Sequence, residues 1–274
     1  MNEVLILGCG YTGRRAARTL LEKGFRVTAT TRDPVKLVGL ARAGARVLRL
    51  EVLEPKTVAA LEVPENALVI DSIPSVGNLD PTRVLVQKLG TRPAKVVYIS
   101  TTGVYGETQQ VDENTKPAPR TDRERLRAQA EAAVEAGPWP SLILRSPAIY
   151  GPDRGVHVSM KAGTYRLPGS GSNFISRIHV EDLGAHVVAG LLSDITGAWP
   201  VADHEPCTSE EIARYCSELF GLPMPPRSGS DSLHESRRAD RRVNGETIRR
   251  LLGVVLRYPS YREGIRAAVE TGWE

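Results

Sequence analysis

A glycine-rich turn directly after an apolar segment, near the start of the chain, constrains the fold more than any other feature. Residues 4–13 read V-L-I-L-G-C-G-Y-T-G, an apolar run that continues into the pattern G-x-G-x-x-G. This pattern predicts a strand, a tight turn and a helix: Gly8 makes the turn, Gly10 lets the backbone approach a pyrophosphate, and Gly13 lets the helix pack against the strand. The helix N-terminus has free N–H groups and a positive dipole end, so we expect it to bind the phosphates of a dinucleotide. A purely structural turn is the alternative interpretation.

The end of the second predicted strand selects the cofactor in folds of this kind. An acidic residue there accepts from the ribose 2′-OH of NAD, whereas an arginine suits the 2′-phosphate of NADP. This strand ends in Thr30 and Thr31, and Arg32 follows. Two hydroxyls beside a guanidinium suit a phosphate, so we predict NADP as the cofactor. NAD is the less favoured alternative because Asp33 comes next, and Arg32 as an ordinary surface charge is a further one.

Strand-like and helix-like segments alternate along most of the chain. This alternation predicts an α/β fold, a Rossmann-type doubly wound parallel sheet. Ligands of such sheets lie beyond the C-terminal ends of the strands, so we expect Tyr11, Thr12, Ser72 and Ser100 to join the glycines in binding the cofactor. The predicted strands cover residues 4–7, 26–30, 46–50, 67–71, 95–100, 141–144 and 198–201.

The regular alternation loosens after residue 152, and we divide the chain there. Residues 1–152 are predicted to form the NADP-binding Rossmann domain. Residues 153–274 are predicted to return a strand and a helix, at about 176–203, to that core and to form a small C-terminal substrate lobe. Capping boxes at 121–124 and 208–211 predict the starts of two helices, and Gly221 predicts the end of the second.

Composition narrows the class of protein. The 274 residues carry a formal net charge of +4, which is too small to indicate nucleic acid or an anionic membrane as a partner. Arg237, Arg238, Arg241 and Arg242 form one basic cluster, interpreted as a solvated face or a contact for a substrate anion, because no aromatic residues alternate with it. The cysteines lack metal-ligand spacing, and no apolar run approaches the ~20 residues of a membrane span. We therefore expect a cytoplasmic protein with a small-molecule substrate and no metal, and the sequence leaves a homodimer open.

Further motifs, in this order, resemble those of extended short-chain dehydrogenase/reductases. They are I-S-T-T-G-V-Y-G at 99–106, L-R-S-P-A-I-Y-G-P at 144–152, I-H-V-E-D-L at 178–183 and G-A-W-P-V-A-D at 197–203. The resemblance covers essentially the whole chain and implies the Rossmann-type fold with an NAD(P)-dependent epimerase- or dehydratase-like activity. The spelling G-x-G-x-x-G and the sequence Y-P-S-Y-R-E-G at 258–264 resemble an atypical branch of that family.

The resemblance also implies positions for the catalytic groups. Thr101 stands where the family has a Ser or Thr that hydrogen-bonds the reacting oxygen, although an ordinary strand residue is the alternative. Anchored on Glu131, the family's Tyr and Lys positions hold Arg123 and Arg127, and the family's Asn aligns loosely with Asp80. Arginine has no accessible neutral form near pH 7, so Arg123 cannot act as the general acid or base. Arg127 can still donate to the cofactor ribose or hold an anion, and an exposed helix face is the alternative for both.

Other proton carriers remain, and the sequence does not choose among them. They are Tyr105, Tyr150, Tyr165, His157, Asp153, Asp112 and Glu113, whereas His179 is expected to be structural. The first hypothesis is an NADP-dependent oxidoreductase or epimerase/dehydratase-like enzyme acting on a carbinol or carbonyl carbon. The second is a non-catalytic NADP-binding sensor or scaffold. The third is an unrelated Rossmann reductase with its own catalytic lysine.

Overall fold

A computed structural model describes residues 3–228 and 239–270 of the chain. The strands are β1 (Glu3–Leu7), β2 (Arg26–Thr31), β3 (Arg46–Arg49), β4 (Ala67–Asp71), β5 (Pro93–Thr101), β6 (Gln110–Val111), β7 (Ser141–Ser146), β8 (Ala148–Tyr150), β9 (Leu167–Pro168), β10 (Phe174–Ile175), β11 (Arg177–His179), β12 (Gly197–Pro200), β13 (Cys207–Thr208), β14 (Arg227–Ser228) and β15 (Arg242–Val243). The α-helices are α1 (Tyr11–Glu22), α2 (Val38–Arg42), α3 (Pro55–Ala59), α4 (Thr82–Leu89), α5 (Asp122–Glu135), α6 (Val156–Lys161), α7 (Val180–Leu191), α8 (Ser209–Phe220), α9 (Glu246–Leu251) and α10 (Tyr261–Glu270). Two 3₁₀ helices lie at Pro34–Leu37 and Thr102–Tyr105. Among these helices, none combines the length and the apolar character that crossing a membrane requires.

The centre of the described structure is a sheet of seven parallel strands in the order β12-β7-β5-β4-β1-β2-β3. The predicted strands all belong to this sheet, with ends that differ by at most two residues. The direction of winding reverses between β1 and β4, which leaves a crevice at their C-terminal ends. The predicted Rossmann-type α/β fold is therefore confirmed.

Helices cover both faces of the sheet, which explains why its central strands are almost continuously apolar. On one face α1 and α7 pack against the sheet through residues such as Leu20, Leu183 and Val187. On the other face α4 and α5 contribute Leu85 and Val134 to a second buried cluster. The two clusters fix the sheet and thereby the positions of the loops at its C-terminal edge.

Both predicted capping boxes are present. The Thr121 hydroxyl oxygen accepts from the Glu124 N–H at 3.3 Å, and the Glu124 carboxylate accepts from the Thr121 N–H at 3.0 Å. Thr208 caps α8 in the same reciprocal way, and Gly221 ends that helix in the left-handed region with φ of +62°. The box at Thr121 sets where α5 begins and so which residues of α5 reach the crevice.

The chain after residue 152 does two things. It completes the central sheet, because β12 pairs with β7 and α7 packs beside α1. It also builds a third buried cluster, to which α6, α8, α10, β8 and β9 contribute side chains. The division into two domains stays a prediction, but this third cluster forms one wall of the crevice.

The motif at residues 178–183 and the segment at 257–258, where the motif at 258–264 begins, are joined by hydrogen bonds and a ring contact. His179 caps α7 by accepting from the Glu181 N–H at 3.3 Å, and its ring centroid lies 3.9 Å from that of Tyr258. The Asp182 carboxylate accepts from the Arg257 N–H at 2.7 Å and the Tyr258 N–H at 3.0 Å. Burial lowers the pKa of His179 to about 3, so its ring is neutral. This residue has the structural role expected from the sequence.

The first prediction concerns the closest contact of α10. A Cβ added at Gly264 would lie 2.4 Å from the Tyr150 hydroxyl oxygen, so Gly264→Ala should lower the free energy of unfolding by roughly 1–3 kcal/mol. The matched control is Gly39→Ala, also within a helix, where an added Cβ meets nothing within 4 Å. Better helix propensity should leave that variant unchanged or up to about 1 kcal/mol more stable. Urea unfolding of both variants checks this, and equal stabilities would show that the contact at Tyr150 is loose.

Candidate functional site

A cavity of about 1690 Å³ lies at the C-terminal ends of the central strands. Pockets for one small ligand usually measure about 300–1,000 Å³, so this cavity has room for a dinucleotide and a second molecule. Of the predicted site residues, Gly13 does not line it. The others do: Gly8, Gly10, Tyr11, Thr12, Thr31, Arg32, Ser72, Ser100, Thr101, Arg123 and Arg127.

At each of the three glycine positions in the turn, a larger side chain is excluded for a different steric reason. Gly8 has φ of +73°, and a Cβ there would lie 2.5 Å from Ile73 Cγ1. A Cβ at Gly13 would lie 3.3 Å from Ile6 Cγ2, because α1 packs closely on β1. A Cβ at Gly10 would meet only the Gly8 carbonyl oxygen, at 3.8 Å, and would otherwise occupy the cavity. These are the properties that a pyrophosphate site at the start of α1 requires.

Two side chains from neighbouring strands brace this turn. Thr30 Oγ1 accepts from the Gly8 N–H at 3.0 Å, and Ser72 Oγ donates to the Gly8 carbonyl at 2.6 Å. Thr30 is fully buried, so the prediction that its hydroxyl contacts a phosphate is wrong. The hydroxyl is used to orient the turn, and Ser72 does the same from the cavity wall.

The end of β2 presents a cation to the cavity. Arg32 is exposed and forms no hydrogen bond or ion pair with any residue in the part of the chain that the structure describes. The neighbouring Asp33 accepts from the Val35 N–H at 3.2 Å and lies 3.9 Å from Lys36 Nζ. Arg14 and Lys36 line the same end, and sequence reasoning missed both. They could have been predicted from their positions, because each lies in the first helical turn after a strand of the sheet, β1 or β2.

Thr101 is the exposed last residue of β5. Its Oγ1 accepts from the Gly103 N–H at 3.2 Å, which caps the 3₁₀ turn and leaves the hydroxyl proton for another acceptor. Ser100, just before it, is buried, and its hydroxyl donates to Glu131. Ser100 therefore contributes to the cavity wall, while its hydroxyl is held by the protein.

Glu131 belongs to a buried ion pair that joins α5 to β7. Arg145 donates to its carboxylate from Nη2 at 2.8 Å and from Nε at 3.1 Å. Nη1 of Arg145 donates to the Tyr105 hydroxyl at 3.2 Å, and Tyr105 is completely buried. Burial raises the pKa of this tyrosine. We therefore exclude Tyr105 as a proton carrier and assign it to the support of the turn after β5.

Arg127 is held inside the wall. Its side chain is 11% exposed, its Nη1 lies 3.4 Å from Asp80 Oδ2, and it donates to the Tyr98 hydroxyl and, at 3.0 Å, to Ser75 Oγ. The interpretation of Arg127 as an exposed surface charge is therefore wrong. Asp80, aligned only loosely from the sequence, is its ion-pair partner. Arg123, one turn earlier on α5, is exposed and lines the cavity.

The aromatic candidates for proton transfer are buried. Tyr150 donates to the Ser260 carbonyl at 2.9 Å, and burial raises its pKa, so we exclude it as a proton carrier. His157 lines the cavity but is fully buried, and burial lowers its pKa to about 4, which makes it neutral at pH 7. Tyr165 is buried in the cavity wall.

The predicted acidic candidates do not line this cavity. Asp112 accepts from the Thr115 hydroxyl at 2.8 Å within a turn, and Glu113 accepts from the Thr247 hydroxyl at 2.8 Å. Asp153 also lies outside the lining residues. Asp112 and Glu113 are thus used in local contacts, whereas Asp153 interacts with the hydroxyl of Tyr11, which lines the cavity, and raises the pKa of that tyrosine. Within residues 3–228 and 239–270, no group of three or more His, Cys, Asp or Glu side chains is arranged to hold a metal ion.

Asp71 is a buried acid that sequence reasoning did not single out. It ends β4, opposite Leu7 of β1, and its Oδ1 accepts from the Ile73 N–H at 3.0 Å. Burial raises its pKa to about 7, opposed by Arg127 and reinforced by Asp80. A polar residue at the end of an apolar strand was the signal for it.

The basic cluster predicted near the C-terminus divides. Arg241 is buried and lines the cavity, at the end away from the glycine turn. Arg242 points elsewhere, with its guanidinium carbon 3.4 Å from the centroid of the Phe174 ring. Arg237 and Arg238 lie outside the described residues.

Known proteins resemble this chain in sequence. The NAD(P)H-binding family matches it over residues 8–193. A 3-diazoavenalumate denitrifying reductase from a Streptomyces species is 29% identical over 154 residues, which are 50% of this chain and 50% of that protein. The chain thus spans about half the length of that relative.

Solved structures resemble it over the full length. A conserved protein of unknown function from Silicibacter pomeroyi is 31% identical and superposes with a TM-score of 0.82, covering 100% of both chains. MoeE5, in complex with UDP-glucose and NAD, is 19% identical, with a TM-score of 0.80 over 98% of both chains. These matches confirm the expected NAD(P)-binding family and the Rossmann-type fold.

The second prediction distinguishes a substitution that blocks phosphate binding from one that disrupts the glycine turn itself. Gly10→Val should abolish dinucleotide binding because its side chain occupies the cavity beside α1. The variant should remain folded, because a Cβ at Gly10 meets only the Gly8 carbonyl oxygen, at 3.8 Å. Gly8→Val is the contrasting variant and should unfold far more readily. Circular dichroism with a cofactor titration tests both, and normal affinity in folded Gly10→Val would refute this position for the phosphates.

The third prediction concerns pH. Because the pKa of Asp71 rises from 3.8 to about 7 on folding, its protonated form is favoured in the folded state. Its contribution to stability is fully present below pH 3.8 and is lost as pH rises through about 7. Asp71→Asn should therefore gain stability relative to wild type across this window, by up to about 1.4 kcal/mol per pH unit. Urea unfolding from pH 4.5 to 8.5 measures this, with the exposed Asp122→Asn as control. A constant difference between Asp71→Asn and wild type would contradict the assignment.

Proposed function

The chain belongs to the NAD(P)H-binding family, and on that premise we propose that it is an NADP(H)-dependent oxidoreductase or epimerase/dehydratase-like enzyme acting on a carbinol or carbonyl carbon. The observation that carries the proposal is that the glycine turn and the Thr101 hydroxyl open into one cavity. Bound at the glycine turn, NADP(H) would supply the hydride donor or acceptor for the substrate carbon. The residues of the chain bind it, orient the reacting oxygen and enclose both molecules.

The preference for NADP rests on charges at the end of β2. Arg14, Arg32 and Lys36 line this end of the cavity. Two carboxylates also line it, but Asp33 accepts from the Val35 N–H, and Glu51 accepts from the Leu53 N–H at 3.3 Å. The acids are thus engaged by backbone, while Arg32 has its whole guanidinium available for a 2′-phosphate. MoeE5 was solved with NAD, so cofactor preference needs a direct test.

The fourth prediction is that Arg32→Ala weakens NADPH binding about tenfold or more and leaves NADH binding nearly unchanged. One charge-assisted contact is worth about 1.5–3 kcal/mol, and ~1.4 kcal/mol is a factor of ten. The matched control is Arg42→Ala, an exposed arginine on α2 that does not line the cavity. Fluorescence titration of both cofactors against the three proteins decides it. Equal losses for NADPH and NADH would argue against a 2′-phosphate contact.

Thr101 is the group that we propose to orient the substrate. Its Oγ1 accepts from the Gly103 N–H, and its hydroxyl proton remains available for an acceptor in the cavity, such as a carbonyl oxygen. Tyr105 and Tyr150 do not supply the reaction's proton, since their hydroxyls are buried and bonded. Arg123 and Arg127 stay protonated, so their roles are in binding and support.

The fifth prediction is that Thr101→Val lowers turnover at least about tenfold, whereas Thr101→Ser, which keeps the hydroxyl, retains most of it. The assay is NADPH oxidation across a panel of aldehydes, ketones and keto sugars. Arg123→Tyr with Arg127→Lys restores the family's pair and should raise activity on simple carbonyls if the family's geometry is retained. Wild-type turnover that does not depend on Thr101 would remove it from the mechanism.

A non-catalytic NADP-binding protein is the second candidate function. It is favoured by the engagement of Arg127 with Asp80 and Tyr98, which places the Lys-equivalent side chain in a supporting network. NADPH binding without turnover by wild type or any of these variants is the result that this alternative predicts.

A further inference from the structure

The end of the cavity opposite the glycine turn contains a buried cation that forms no ion pair within residues 3–228 and 239–270. Arg241 is 6% exposed and donates to two backbone carbonyls, from Nε to Thr108 at 3.0 Å and from Nη2 to Gly106. Its Nη1 donates to no atom of the described residues, and no described carboxylate lies within ion-pairing distance. The N–H groups of Nη1 therefore remain available to donate to a ligand.

The nearby carboxylates are committed to other groups. Asp240 accepts from the Phe174 N–H at 2.9 Å and from Gln109 Nε2 at 2.9 Å. Glu124 is the closing residue of the α5 capping box. Neither forms an ion pair with Arg241, although the Glu124 carboxylate interacts with its charge from a greater distance and partly offsets the lowering of its pKa by burial.

The backbone holds Arg241 firmly. Its N–H donates to the Phe174 carbonyl at 2.7 Å, and its carbonyl accepts from the Ser176 N–H at 3.2 Å. Burying a charge costs several kcal/mol unless a partner compensates, and two carbonyls compensate only in part. A residue fixed in this way at such a cost is typical of a binding site, because an arriving anion restores the balance.

We propose that Arg241 binds an anionic group of the substrate, a carboxylate or a phosphate ester. This rests on the proposed function in one respect, that the cavity also holds the cofactor. The loop bearing Gly106 and Thr108 follows β5, whereas Arg32 follows β2. β4 and β1 lie between these strands, a separation of three strand spacings or roughly 14 Å. Because the Arg241 guanidinium is held at Gly106 and Thr108, beyond the end of β5, we assign its anion to the substrate and not to the 2′-phosphate of the cofactor.

Binding is tested by thermal unfolding of the full chain saturated with NADPH, with inorganic phosphate or acetate compared against sodium chloride at equal ionic strength. Wild type should gain stability from at least one of the two anions. Arg241→Gln should lose that gain, Arg241→Lys should keep part of it, and the adjacent Arg242→Gln should keep all of it. In chloride alone, Arg241→Gln should melt at or above the wild-type temperature, because it removes a buried charge. An anion response that is absent in wild type, or equal in wild type and Arg241→Gln, overturns the proposal.

A kinetic experiment tests whether the anion bound by Arg241 belongs to the substrate. The probes are benzaldehyde and 4-carboxybenzaldehyde, which differ by one carboxylate. Wild type should prefer the charged aldehyde, and Arg241→Gln should reduce the ratio of kcat/KM for 4-carboxybenzaldehyde to kcat/KM for benzaldehyde at least about tenfold. A preference unaffected by Arg241→Gln contradicts the proposal. If neither aldehyde reacts, the proposed function fails on these substrates, and the thermal measurement still decides whether Arg241 binds anions.

Discussion

The buried ion pair between Glu131 and Arg145 fixes the substrate half of the cavity. It connects α5 to β7, and through hydrogen bonds it reaches Ser100 at the end of β5 and Tyr105 in the turn that follows. Removing one partner of such a pair leaves an uncompensated charge and typically costs about 3–5 kcal/mol. Because Thr101 lies between Ser100 and that turn, the direction of its hydroxyl depends on this network. The position of α5, and so of Arg123 and Arg127, depends on it as well.

The cofactor half is supported by a different device. Thr30 and Ser72 hold the Gly8 peptide from the strands on either side of β1, so the turn cannot shift without breaking sheet contacts. The sequence suggested that the hydroxyls of Thr30 and Ser72 bind the cofactor. In the structure they form hydrogen bonds with the backbone of Gly8, in the turn that faces the phosphates. This leaves the helix N-terminus and the cations around it to make the phosphate contacts.

Local patterns were enough for the strands, the capping boxes and the glycine turn, because their information lies within a few residues. The partner of Arg127 was not predictable in this way, since Asp80 lies on another connection and meets α5 only after the sheet has formed. Burial of Tyr105 and Tyr150 likewise depends on distant residues, Arg145 and Ser260. The adjacent residues Arg241 and Arg242 also have different surroundings: Arg241 lines the cavity, whereas Arg242 packs on the ring of Phe174. Which side of a short strand or loop faces the site is decided by tertiary packing, and the sequence offered no periodicity to reveal it.

The contacts of α7 with residues 257 and 258 have a consequence for how the protein forms during synthesis. The glycine turn and its braces need only the first seventy or so residues, so that part of the crevice has its components early. The opposite wall does not, because Asp182 and Tyr150 take their partners from residues 257–264, which follow them in the chain by 75 residues or more. A nascent chain on the ribosome therefore exposes an unfinished wall until these residues emerge. During that interval the carboxylate of Asp182 and the apolar surface around Tyr150 are open to water and to chaperones.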